Sequence, residues 1–154
     1  YMNELLVRSL PRMDVSPTVF LAYGQTIESL HEGVGEESLR RFELVLLSEL
    51  GYSVAWDSDE QREPIRAEAH YRFEVDRGFC VAESAAAPSR SDRLLPGAHI
   101  IRLGQWWEGA DALGIDELLL LKGITRAAVS QLTGGRVMRT REVLKALKSL
   151  GKGA

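Results

Sequence analysis

The residues from Glu36 to Leu50 constrain the fold most strongly, because they are apolar on more than one side at helical spacing. The apolar members of this stretch are Leu39, Phe42, Leu44, Val45, Leu46, Leu47 and Leu50. A helix that is apolar around much of its circumference must be covered by other elements on several sides. The stretch therefore predicts the central helix of a bundle, ended by Gly51.

Two further helices are predicted before this one. The apolar residues Met2, Leu5, Leu6 and Leu10 have helical spacing with no capping residue before them, which indicates a chain cut from a longer one. Ser16 and Pro17 then supply an N-cap and a proline at the first helical position. The second helix carries the stripe Phe20, Tyr23, Ile27 and Leu30.

The second half of the chain predicts a small hairpin and more helices. The runs 70–75 and 79–82 are β-prone and are joined by Asp76-Arg77-Gly78, which favours a hairpin. Helices are predicted after Pro96-Gly97, from Ile115 to Leu132 and from Thr140 to Leu150. The expected fold is mainly α: one domain over residues 1–154, a helical bundle with 55–93 as a loop and hairpin insertion.

Composition narrows the class of protein. A chain of 154 residues with 45% apolar residues is long enough for one buried core. It has no apolar run of membrane-spanning length and no signal segment, which predicts a cytoplasmic protein. Its one cysteine, Cys80, excludes an internal disulfide and cannot by itself build a zinc site.

Charge is distributed unevenly along the chain. The formal net charge is −3, but the residues from Lys122 onward carry eight basic side chains against the single acid Glu142. A basic segment of this kind suits contact with a polyanion, although it is also a common device for solubility.

Three stretches in order along the chain resemble the RecO family. They are 39–52 (LRRFELVLLSELGY), 71–79 (YRFEVDRGF) and 134–142 (GGRVMRTRE), and the opening residues 1–6 are similar to the family's first helix after its N-terminal OB-fold. Each stretch alone is weak, whereas their order and separations are specific. The resemblance covers nearly the whole chain.

The resemblance implies a non-enzymatic role in DNA repair and recombination, in a nucleoid-associated protein. RecO-like proteins bind single-stranded DNA, anneal complementary strands, engage RecR and are recruited by the acidic C-terminal tail of single-stranded DNA-binding protein. Many relatives also carry two CxxC pairs that form a zinc finger. Here the first pair is missing from 55–63 and only Cys80 is a remnant of the second, so we expect a degenerate zinc-finger-like region without metal and no cofactor.

Arg40, Leu44 and Leu47 are the predicted site for a partner peptide. Their spacing of i, i+4 and i+7 sets a guanidinium beside apolar side chains, and the resemblance implies that Arg40 lies in the docking site for the acidic tail. The alternative is that Arg40 only forms a helical ion pair with Glu36, four residues earlier.

The predicted last helix carries a basic stripe. Arg141, Lys145 and Lys148 share one face, and Arg136 and Arg139 extend it toward the preceding Gly-Gly turn. These five residues are the predicted nucleic-acid contacts. The alternative is a solvated face whose lysines complement the helix C-terminus.

Other residues give less support for function. Adjacent residues on a helix point about 100° apart, so Trp106 and Trp107 do not easily form one stacking platform, and core packing of at least one is favoured. The histidines lack a metal-binding context, and no nucleophile or phosphate-loop motif is present. Three hypotheses follow: a partner- and DNA-binding domain, an interaction module without DNA contact, and an unrecognised catalytic fragment.

Overall fold

Five helices and three short strands make up the part of the chain that the structure, a computed structural model, describes: residues 1–10, 16–33, 35–82, 94–135 and 138–140. In chain order the elements are α1 (Met2–Ser9), α2 (Pro17–His31), α3 (Gly35–Glu49), β1 (His70–Glu74), β2 (Gly78–Val81), β3 (Leu95–Pro96), α4 (Gly97–Trp107) and α5 (Ile115–Leu132). The mainly helical fold with a small hairpin is confirmed. The helix predicted for 140–150 lies almost wholly outside the described residues.

The start of α2 shows the predicted cap. The Ser16 hydroxyl accepts a hydrogen bond from the Val19 amide at 3.2 Å, and Pro17 is the first helical residue. This cap satisfies one of the amides that a helix leaves without an internal partner. Ser16 Oγ also donates to Glu49 Oε2 at 2.6 Å, so the cap joins the start of α2 to the end of α3.

Helix α3 is the central element, as its two-sided apolar pattern predicts. Phe42, Leu46 and Leu47 belong to a cluster shared with α1 and α2, whereas Leu44 belongs to a second cluster shared with α4 and the sheet. The helix ends at Glu49. Two residues later Gly51 has φ +85°, and the Tyr52 amide then donates to the Leu47 carbonyl at 2.8 Å. A positive φ at this position is a turn conformation that glycine adopts without strain.

The sheet is antiparallel in the order β2-β1-β3. The hairpin register sets Tyr71 opposite Val81 and Phe73 opposite Phe79, and Tyr71 also faces Leu95 of β3. The third strand was not predicted, because two residues are too few to show periodicity. Tyr71 and Phe79 are fully buried in the cluster that also contains Trp106 and Leu121, so the hairpin is part of the core. Among the described residues, no helix is long and apolar enough to cross a membrane.

Candidate functional site: the α3–α5 seam

The Arg40 guanidinium lies in the interior, at the contact between α3 and α5. Its side chain is 5% exposed, and Nη1 donates to Glu43 Oε2 at 2.6 Å and to Thr125 Oγ1 at 3.3 Å. Glu43 is itself fully buried and accepts a second hydrogen bond from the Tyr1 hydroxyl. A buried charge is tolerated only when it is paired and hydrogen-bonded, and this network, which spans α3, α5 and the start of the chain, provides that pairing.

Glu36 connects Arg40 to the surface. Its Oε1 atom lies 3.4 Å from Arg40 Nε and 3.0 Å from Lys122 Nζ. The Glu36 and Lys122 side chains are 42% and 49% exposed, so this end of the network is open to solvent. Glu36, Arg40 and Lys122, with Thr125 beneath them, define the α3–α5 seam.

One exposed face of α5 continues from the seam. It carries Ile115, Leu119, Lys122 and Arg126 at i, i+4, i+7 and i+11, a spacing that places them along one side of a helix. Ile115 is 81% and Leu119 46% exposed, and Arg126 is also exposed. The face is therefore apolar at its N-terminal end and cationic beyond it. The spacing was visible in the sequence, but nothing there distinguished this side of α5 from its buried side.

The three residues predicted to dock a peptide do not share an open surface. Arg40 and Leu44 are 4% exposed and Leu47 is fully buried. Leu44 and Leu47 also face different hydrophobic clusters, so the two leucines form no open apolar surface beside Arg40, and the role of the three residues in peptide binding stays a prediction. The physical reason is that α3 is covered on several sides. The ion pair with Glu36, the alternative interpretation of Arg40, is present at 3.4 Å.

A concave surface of about 640 Å³ lies between α2 and α3. The charged residues that line it, Glu37 and Arg41, are engaged with α4 and the residues that follow it. Glu37 accepts from the Trp106 indole and from the Leu113 amide, and Arg41 donates to the Trp106 carbonyl at 2.8 Å. The Arg41 guanidinium also lies 4.5 Å from the Trp106 ring centroid, within the range of a cation–π contact. Glu37 and Arg41 therefore join α3 to α4. Trp106 is a core residue, which is the packing that the sequence favours.

Of the five predicted nucleic-acid contacts, only Arg139 falls within the described residues. Arg139 is exposed, while its backbone amide donates to Glu4 Oε1 at 2.8 Å. The Thr140 amide donates to Glu4 Oε2 at 2.9 Å. These contacts attach the segment to α1. Arg136, Arg141, Lys145 and Lys148 lie outside the described residues, and their predicted role stays a prediction.

Cys80 lies on β2 and is buried. Burial, and then a hydrogen bond with Glu60, raise the pKa of this thiol to about 11, so it is protonated at neutral pH. No group of three or more His, Cys, Asp or Glu side chains is positioned to hold a metal ion within the described ranges. His99 pairs instead with Glu117 at 2.8 Å.

Comparison with known proteins assigns the family. The family described as "Recombination protein O C terminal" matches residues 1–136. The chain is 35% identical over 148 residues to the DNA repair protein RecO of Alkalilimnicola ehrlichii, covering 96% of this chain and 56% of that protein. It is 32% identical over 151 residues to the RecO of Aromatoleum aromaticum, with 97% and 60% covered.

A third relative, the DNA repair protein RecO of Coxiella burnetii, is 33% identical over 145 residues, with 94% of this chain and 60% of that protein covered. The chain thus spans less than two thirds of the length of these relatives. The family match extends from α1 through α5 and includes the whole α3–α5 seam. The chain therefore belongs to the RecO family, in the region described as its C-terminal part.

Proposed function

We propose that this chain acts in DNA repair and recombination as a binding domain, not as an enzyme. It holds an acidic partner peptide, the C-terminal tail of single-stranded DNA-binding protein, and contacts single-stranded DNA through its basic C-terminal segment, acting with RecR. The observation that carries the proposal is the family match over residues 1–136, together with relatives named as DNA repair proteins.

The peptide-binding part is supported by the charges at the α3–α5 seam. Arg40 and Lys122 come from different helices and approach the same carboxylate oxygen. Guanidinium and ammonium groups form their strongest hydrogen bonds with carboxylates. The exposed Leu119 beside Lys122 adds an apolar surface for the side chains of such a peptide.

The DNA-binding part is supported by the exposed Arg139 and by the eight basic residues from Lys122 onward. Phosphate contacts displace counterions, so binding through them weakens steeply as salt concentration rises. The competing function is a protein-interaction module without DNA contact, which the exposed apolar residues of α2 and α5 favour.

The salt dependence of binding to a labelled single-stranded oligonucleotide tests the DNA part. Replacing Arg139, Arg141 and Lys145 by alanine should weaken binding and flatten the salt dependence by up to about 0.7 log units per lost contact. Sequence preference should stay the same, because phosphate contacts position a strand without reading its bases. An unchanged slope would favour the interaction module.

A labelled acidic peptide that ends in an aromatic residue tests the peptide part. The 154-residue chain should bind it, and a peptide with its acids replaced by the corresponding amides should bind at least tenfold more weakly, since several charge-assisted hydrogen bonds are lost. Equal binding of both peptides would rule out recognition by charge.

A further inference from the structure

We infer that the α3–α5 seam is a carboxylate-binding site which the free protein closes with its own Glu36, and that an acidic, apolar partner segment opens it by taking the place of that side chain. This inference rests on the proposed peptide binding and adds how that binding is regulated. It also assigns Lys122, Leu119 and Ile115 to the docking surface.

Glu36 marks the position of the anion. One of its oxygens lies within 3.4 Å of cationic nitrogens on two different helices, Arg40 Nε and Lys122 Nζ. Glu36 belongs to the first turn of α3, where the helix dipole also favours negative charge. A partner carboxylate placed at the same point would meet the same two cations.

Arg40 keeps its position independently of Glu36, and this makes Glu36 replaceable. Glu43 and Thr125 fix Arg40 Nη1, so the guanidinium stays in place when Glu36 moves. Arg40 Nε is buried and makes no hydrogen bond among the described residues; at 3.4 Å, Glu36 is an ion-pair neighbour only. Leaving a buried donor unsatisfied is costly. A carboxylate that approaches Nε more closely would therefore bind better than Glu36 does.

The occupant is a protein segment with acidic and apolar side chains. Leu119 lies one helical turn before Lys122 on the same face of α5, and Ile115 lies a turn before Leu119; both are well exposed. An exposed apolar pair beside a cationic site suits a peptide that presents apolar side chains next to its carboxylates. Among the described residues, this face of α5 offers nucleic acid no aromatic stacking surface. Its cationic part is also interrupted, because the Glu36 carboxylate lies beside both Arg40 and Lys122.

Titration of the labelled acidic peptide against single variants tests the inference. Glu36→Gln removes the competing charge and should raise the affinity about two- to fivefold, and Lys122→Met should lower it by a similar factor, as expected for partly exposed charges. Both effects should shrink as salt rises toward 1 M, where the Debye length falls to about 3 Å. Leu119→Asp should weaken binding more than Lys122→Met does, because it places a negative charge in the docking surface of an acidic peptide.

The hairpin offers matched controls. Glu74 is 48% exposed and accepts from Arg77 at 3.1 Å, so Glu74→Gln changes the net charge of the protein as Glu36→Gln does. Arg77→Met is the corresponding control for Lys122→Met. Both control variants should bind the peptide with the affinity of the wild type, which separates the local effect from that of overall charge.

The outcomes distinguish the inference from the function it rests on. If the wild type binds the peptide and neither Glu36→Gln nor Lys122→Met differs from its control, the seam is not the site, although peptide binding stands. Absence of binding by both the wild type and Glu36→Gln would reject both. If Lys122→Met weakens oligonucleotide binding and leaves peptide binding unchanged, the seam is a nucleic-acid contact and the inference is wrong.

Discussion

Arg40 shows how far the environment of one residue changes its role. The Arg40 guanidinium is 5% exposed and is paired with a fully buried carboxylate. Its first effect is therefore on the stability of the fold. Removing one member of a buried ion pair leaves the other charged and unpaired, which is the larger part of the cost. A surface arginine at the same sequence position would have little effect on stability.

Arg40→Ala should therefore destabilise the protein by about 3–5 kcal/mol, because Glu43 loses its charged partner in the interior. Urea denaturation followed by circular dichroism measures this change. The double variant Arg40→Met with Glu43→Leu removes both charges and should recover most of the lost stability. A loss below about 1 kcal/mol for Arg40→Ala would mean that solvent reaches the pair. For the same reason Lys122→Met is a safer probe of peptide binding than any change at Arg40.

Glu4 links stability to pH. A hydrogen bond from the Thr140 hydroxyl, then one from the Thr140 amide, lower the pKa of this carboxyl from 4.5 to about 2. The folded state thus binds a proton less readily than the unfolded state, so the stabilisation is fully present above pH 4.5 and is lost as pH falls toward 2.

Thermal unfolding of Glu4→Gln and the wild type between pH 7 and pH 2 tests this linkage. The variant should unfold at a lower temperature above pH 4.5, and the two curves should converge near pH 2. Glu28→Gln, which removes an exposed carboxylate on α2, is the control for the loss of one negative charge. A difference between Glu4→Gln and the wild type that does not depend on pH would contradict the role of the charge.

At the scale of elements, the hairpin derives its support from the core. Phe79 contacts Trp56 and Phe73, with ring centroids 5.8 and 5.4 Å apart. Tyr71 adds a hydrogen bond, accepting from the Arg66 amide at 2.9 Å. Aromatic packing of this kind stabilises a short sheet that would be marginal alone.

The purified chain should accordingly contain no stoichiometric zinc. One cysteine and three separated histidines do not make a tetrahedral set. Burial also raises the pKa of the Cys80 thiol to about 11, so a proton competes with a metal ion for this sulfur. Elemental analysis of the protein measures this directly. A chelator should leave the unfolding midpoint unchanged. One bound equivalent of zinc would overturn the prediction.

At the scale of the whole molecule, α3 and α5 join two hydrophobic clusters. Leu44, Leu121 and Ile124 belong to the cluster that contains Trp56 and Trp106, whereas Leu46 and Val129 belong to the other. Because both helices contribute side chains to both clusters, loss of packing in one cluster should destabilise the other. The tryptophans report on one cluster only, since Trp107 packs against the same one.

Leu46→Ala should lower the stability by about 2–5 kcal/mol, as other buried leucine truncations do. Its effect should appear equally in tryptophan fluorescence and in circular dichroism, although Leu46 lies in the cluster without tryptophan. Leu103→Ala, in the other cluster, is the matched control and should shift both signals together. If Leu46→Ala shifts circular dichroism alone, the two clusters unfold separately and two-state analysis does not apply.

The sequence by itself determined the helices and their order. Caps, glycine stops and apolar periodicity are local signals, and for this reason the predicted start of α2 at Pro17 and the span of α5 from Ile115 to Leu132 are confirmed. The two-sided apolar pattern of 36–50 likewise predicted a central α3. Strand β3 carried no such signal. It has only two residues, and it pairs with Tyr71, which lies in a different part of the chain.

Only the tertiary structure decided which charges lie inside and which face solvent. Three basic residues that the sequence does not distinguish have different environments. Arg40 is buried against Glu43, Arg41 donates a hydrogen bond to α4, and Lys122 lies at the surface. Periodicity places a residue on a side of its helix, but burial depends on which other helix covers that side. That choice is made by packing between segments far apart in the chain. Arg40 contacts Thr125, 85 residues away, and Arg41 contacts Trp106, 65 residues away, and no local pattern encodes such contacts.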